Sequence, residues 1–131
     1  MNYQGKVWGD TQQIFGKNNV QIHVVNIKAG GYCSKHKHLA KYNAFYVLRG
    51  CLDIEVWKND YDLVDRTILP VGRLMIVQPG EYHRFHARTD VQALEIYWTE
   101  LSDNDIVRED VDGVDGLPQA QRREHLGEGR I

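Results

Sequence analysis

His36, Lys37 and His38 place two imidazoles two residues apart, and a third, His83, follows the turn Pro79-Gly80-Glu81-Tyr82. On an extended strand, residues i and i+2 lie on one face, about 7 Å apart along the chain. Two rings so placed converge on one divalent ion held at about 2.1 Å, and His83 can supply a third nitrogen from a later strand. Three imidazoles leave coordination positions open for water, substrate or dioxygen, the arrangement of a catalytic rather than a closed structural site. The plainer alternative is three histidines satisfied within the surface or core. Asn43 stands beyond them where a carboxylate ligand would serve better. Its amide oxygen is a neutral, weaker donor, and an amide cannot act as a base.

The base must then come from elsewhere, and Glu95, with Tyr97 two residues on and hence on its face, is the candidate; an outward-facing strand carboxylate is the alternative. Lys35, Arg49 and Arg84, together with Lys37 and Lys41, are candidates for holding an anionic substrate at the rim, as a sugar phosphate would need. Tyr97 is a further candidate for substrate contact. His86, three residues beyond His83, falls on the opposite face of a regular strand. His23 alternates with Gln21 and Val25 and reads as a packing or edge residue.

These residues have to be positioned by strands. Val20 to Ile27, Tyr42 to Leu48, Cys51 to Trp57, Leu63 to Leu69, Arg73 to Val77, Tyr82 to Ala87 and Val91 to Thr99 are short segments rich in β-branched and aromatic residues. Turn signals separate them: Arg49-Gly50, Lys58-Asn59-Asp60, Pro70-Val71-Gly72 and Pro79-Gly80. Leu52, Ile54 and Val56 alternate with Asp53 and Glu55, one face apolar and one polar. No useful helical periodicity precedes residue 100. The expected fold is all-β, a barrel or two-sheet sandwich, because so many strands must cover an apolar face and their edges.

The spacing of these residues resembles the cupin family. Gly30, five residues, His36-Lys37-His38, four residues, Asn43, six residues and Gly50 match its first motif except that Asn43 replaces the glutamate. Gly80-Glu81-Tyr82-His83 resembles its second motif, with Pro79 displaced by one place and Ala87 where the family often has Asn. From about Val7 to Asp112 the chain is most similar to the cupin domain of type II phosphomannose isomerases, also found fused to mannose-1-phosphate guanylyltransferases. Trp8-Gly9, Ala29-Gly30, Tyr46-Val47-Leu48-Arg49-Gly50, Pro79 through Phe85 and Asp105 through Asp110 carry that similarity.

The resemblance implies a single-domain double-stranded β-helix, or jelly-roll barrel. It also implies one divalent metal (zinc, manganese, nickel or iron) on His36, His38 and His83, with Asn43 as a weak fourth ligand or a donor beside them. The function so implied is a metal-dependent aldose–ketose isomerase or epimerase of a sugar or sugar phosphate. Two alternatives stay open: a three-histidine iron dioxygenase of a small organic acid or thiol, and a sugar-binding cupin without turnover.

Composition limits the remaining choices. The 131 residues carry a net charge of −2, with 42% hydrophobic and 26% charged residues, so a single domain is expected and nothing is basic enough to suggest nucleic acid. No apolar run approaches the roughly 20 residues that span a bilayer. Met1-Asn2-Tyr3-Gln4-Gly5 lacks the features of a secretion signal, and Cys33 and Cys51 are too few for a disulfide framework, so two reduced thiols in a cytoplasmic protein are expected. Residues 1–19 are expected to form an edge strand or a dimer arm, 20–100 the barrel, and 101–131 an acidic extension. In that extension six acidic residues fall between Asp103 and Asp115, and Gln119 to Leu126 could form a short helix. A homodimer is expected from the need to cover strand edges.

Overall fold

The computed structural model describes residues 2–58, 63–99, 115 and 124–128. The loop expected at Lys58-Asn59-Asp60, the acidic run and the helix expected over Gln119 to Leu126 lie wholly or mostly outside these residues. Nine strands follow in chain order: β1 (Tyr3–Lys6), β2 (Gly9–Lys17), β3 (Val20–Ile27), β4 (Tyr42–Arg49), β5 (Leu52–Trp57), β6 (Val64–Leu69), β7 (Leu74–Val77), β8 (Tyr82–Ala87) and β9 (Val91–Trp98). The architecture is all-β, with no helix among the described residues and hence no helix long and apolar enough to cross a membrane.

A six-stranded sheet runs β1-β2-β3-β9-β4-β7 and a three-stranded sheet β6-β5-β8, all neighbours antiparallel. Alternation decides what each strand buries. Val25 and Ile27 of β3, Phe45 and Val47 of β4, Leu52, Ile54 and Val56 of β5, Phe85 and Ala87 of β8, and Val91 and Ala93 of β9 meet in one core between the sheets. Asp53, on the opposite face of β5 from Leu52 and Ile54, is also buried, because the Arg88 guanidinium covers it with Nε donating to Oδ1 at 2.7 Å.

The expected strands from Val20 onward are present within a residue or two of their ends. The segment before them forms two strands rather than one: β2 pairs along the length of β3, and β1 folds back on β2 as the edge of the large sheet. Trp8, in the turn between them, stands edge-on against Phe85 at 5.0 Å between ring centroids. The sheet edge beside β8 is taken by the segment before β4. Tyr32 bridges to His86, and His36 to His83, with His83 N donating to His36 O at 2.8 Å and His36 N to His83 O at 3.1 Å. The described residues up to Thr99 belong to one compact unit.

Candidate metal centre

His83 sits on β8, on the inward face shared with Phe85 and Ala87, and is 1% exposed. The bridge between β8 and the 30–38 segment brings His36 against it, and strand alternation brings His38 to the same side. The ligating nitrogens of His36, His38 and His83 all lie within 4.8 Å of one another. Asn43, at the start of β4, has no exposed surface, and its Oδ1 lies 3.2 Å from His83 Nε2.

Backbone carbonyls fix which ring nitrogens are free. A carbonyl carries no proton, so His36 Nδ1 must donate to Ser34 O (2.7 Å) and His83 Nδ1 to Glu81 O (3.0 Å). In each neutral ring Nε2 is left as a bare lone pair, the tautomer that a metal takes. His38 Nε2 is buried without a hydrogen-bond partner, as is Asn43 Nδ2. Burial, reinforced by Lys41 and the other two imidazoles, holds His38 down to about 4, and burial also lowers His83. Both are therefore unprotonated at neutral pH.

His83 Nε2 and Asn43 Oδ1 then face each other as two acceptors with no hydrogen between them. A spacing of 3.2 Å suits adjacent ligands of one ion. Without a cation, turning the amide over lets Nδ2 donate to His83 instead. This donor set fits a divalent metal: His36, His38 and His83 would hold it, with the Asn43 oxygen beside them. Cys33 lines the adjoining cavity, where burial pushes its thiol up to about 11, and it does not join the three-histidine group.

A cavity of about 350 Å³ meets the cluster at His36, lined by residues that include His36, Glu95, Tyr97, Trp8, His23 and Lys6. Glu95 is thus inward-facing, in the cavity rather than on the outer face of β9. Burial raises its pKa above the ordinary carboxylate value; the Tyr97 hydroxyl and the Asn43 amide favour its charged form but do not offset the burial. Tyr97 is held neutral, its pKa raised by burial and then by Glu95, and its ring stands edge-on to His38 at 5.3 Å.

The rim cations expected from sequence are elsewhere. Arg49 ends β4, six residues and roughly 20 Å along the strand from Asn43, where its Nη2 donates to Gln92 Oε1 at 3.0 Å on the outer face. Arg84 neighbours His83 and so points to the opposite face of β8, its guanidinium over the Tyr32 ring at 5.2 Å and the Trp57 ring at 5.9 Å. Lys35 alternates with His36 and rests its Nζ 4.3 Å from the centre of the Trp57 ring. None of the three lines the cavity with the histidines. His86 lies outward as expected, stacked on Tyr32, whereas His23 lines the cavity without joining the three-histidine cluster. Lys6, Trp8 and Cys33, with Gln4, Thr11 and Ser34, are lining residues that sequence reading missed. Only Trp8 carried a signal, as a bulky aromatic in a Gly-rich turn.

The model for the cupin domain matches residues 23–100 of the chain. The chain belongs to the cupin family. No curated protein matches it. Among solved structures, this cupin is similar to KdgF from Halomonas sp. (14% identity, 79% of this chain and 90% of that one, TM-score 0.66). It is similar also to the Cnp3 cupin domain of Schizosaccharomyces pombe (17% identity, 76% and 69% covered, TM-score 0.62). A third likeness is to a single-residue variant of oxalate decarboxylase from Bacillus subtilis (14% identity, TM-score 0.66), where it covers 79% of this chain but 29% of that one. At these identities the likeness is one of fold.

Proposed function

We propose that this cupin is a metal-dependent isomerase or epimerase of a small polyhydroxylated carbonyl compound, a sugar or sugar phosphate. The observation that carries this reading is the inward Glu95 carboxylate, in one cavity with His36 and Tyr97. Moving a proton between neighbouring carbons needs a base poised near neutrality, and a carboxylate whose pKa is raised by burial is a stronger base than a solvated one. Tyr97, neutral and beside Glu95, keeps the carboxylate oriented and can donate to a substrate oxygen. A divalent metal on the three histidines supplies Lewis acidity toward the carbonyl or hydroxyl oxygen. Asn43 contributes no proton transfer.

The test is exchange with solvent deuterium of the C2 proton of aldoses and of a C1 proton of ketoses, free and phosphorylated, in the metal-loaded protein. Glu95→Gln is expected to slow exchange by about 10²–10⁴-fold while metal stoichiometry is retained. Absence of exchange on every sugar in the panel sinks the reading. The all-neutral donor set favours one second reading, an iron enzyme that activates dioxygen. Substrate-dependent oxygen consumption by the iron-loaded protein would select it.

A further inference from the structure

Among the described residues, Lys6 is the one lysine or arginine that lines the cavity beside the histidines. It comes from β1, the edge strand of the large sheet, and alternation puts Gln4 on the same face while Tyr3 and Gly5 point away. The strand is held from its other face. The Tyr3 hydroxyl donates to Asp10 Oδ2 at 3.1 Å, Asn26 Nδ2 donates to Asp10 Oδ1 at 2.8 Å, and Gln13 N donates to Asn2 O at 2.9 Å. The ion pairs among the described residues are Lys58–Glu81, Arg66–Glu55 and Arg88–Asp53, so no described carboxylate claims the Lys6 ammonium. Lys41 lies against the Tyr97 ring at 4.1 Å and lines a different cleft, with Asn18 and Trp98.

β1 stands three strands from β9, roughly 14 Å at the spacing of paired strands. Lys6 and Glu95 therefore border the cavity from opposite sides. A substrate whose reacting carbons meet Glu95 presents its far end to β1. We infer that Lys6, with Gln4 beside it, binds an anionic oxygen group, a carboxylate or a phosphate, at the end of the substrate remote from the reacting carbons. This rests on the reading of the cavity as a sugar site. It makes the substrate class an acidic sugar and moves the anion contact from the residues flanking the histidines to the N-terminal hairpin.

The test uses binding rather than turnover, so that failure of the isomerase chemistry leaves it intact. Sorbitol, gluconate and sorbitol 6-phosphate, which lack a carbonyl to isomerise, are titrated calorimetrically into metal-loaded wild type, Lys6→Ala, Lys6→Arg, Lys41→Ala and Lys35→Ala. A solvent-exposed charge-assisted contact supports about a tenfold preference for an anionic polyol over sorbitol. The expected result is that Lys6→Ala removes this preference while sorbitol affinity stays within twofold. Lys6→Arg should keep it, and Lys41→Ala and Lys35→Ala should leave it unchanged. Preference for gluconate identifies a carboxylate, and preference for sorbitol 6-phosphate a phosphate. Retention of the preference in Lys6→Ala, its loss in Lys41→Ala instead, or no anionic polyol binding to wild type overturns the inference.

Discussion

Asn43→Asp changes one buried atom's chemistry and almost nothing of its shape, so it isolates the question of what Asn43 faces. The residue has no exposed surface, and its oxygen is 3.2 Å from the bare nitrogen of His83. An ordinary Asp ionises near 3.9, and each unit by which burial forces that value upward costs about 1.36 kcal/mol. Keeping it protonated at pH 7 therefore costs about 4 kcal/mol at most, less where His83 takes up the proton instead. For a unit of about 100 residues this lowers melting of the metal-free variant by up to roughly 15–30 °C.

A divalent cation at the histidines reverses the sign, because the carboxylate then has its counter-charge. The penalty is recovered on binding, and metal affinity rises by up to about a thousandfold. Melting curves of both proteins in chelator and in saturating manganese or zinc, with competition against a chromophoric chelator, measure both halves of the cycle. The variant should lie below wild type without metal and meet or exceed it with metal. An equal deficit under both conditions would refute the placement of Asn43 against the metal.

Two further outcomes follow from the same structure. Gly50 has φ +85°, and a Cβ there would stand 2.1 Å from the Asp90 carbonyl oxygen, whereas Gly30, at φ +82°, has nothing within 4 Å. Gly30→Ala should cost only its backbone conformation, about 1 kcal/mol and roughly 5 °C, while Gly50→Ala should lose at least about 3 kcal/mol and more than roughly 12 °C in thermal denaturation. Glu95→Gln should stabilise the metal-free protein at pH 8 and leave it unchanged near pH 4. A carboxyl whose folded pKa is raised binds more protons folded than unfolded. Wild type therefore loses stability as pH rises from the ordinary carboxylate value through the folded one, and the glutamine variant does not. A constant difference between the two proteins across that range would contradict the burial of Glu95.

Period-two alternation made much of this molecule legible. It predicted the strands from Val20 onward, the shared face of His36 and His38, the outward His86 and the common face of Glu95 and Tyr97. The same rule, applied one residue further, sends Lys35 and Arg84 away from the histidines; proximity in sequence to His36 and His83 obscured it. Arg49 fails on length, since a strand carries its two ends some 20 Å apart. The first hairpin was illegible for another reason. Tyr3–Lys6 is exposed throughout and has no apolar alternation, so its strand character comes from pairing with β2 rather than from its own residues. Lys6 enters the cavity only through that pairing. Asp53 reads as a surface residue until Arg88, thirty-five positions later, folds over it.

The reciprocal backbone bonds between His36 and His83 bear on how the two ligands stay together. Their rings are pinned through Nδ1 to the main chain, so a rotamer flip on the picosecond-to-nanosecond scale does not free either nitrogen without breaking those bonds. Separating the two ligands means peeling the 30–38 segment from β8, an opening of the fold itself that belongs to the microsecond-to-second range. The main chain therefore keeps both nitrogens in place whether or not an ion is held, and separating the ligands themselves, as distinct from breaking their bonds to a metal, would require fraying of that sheet edge.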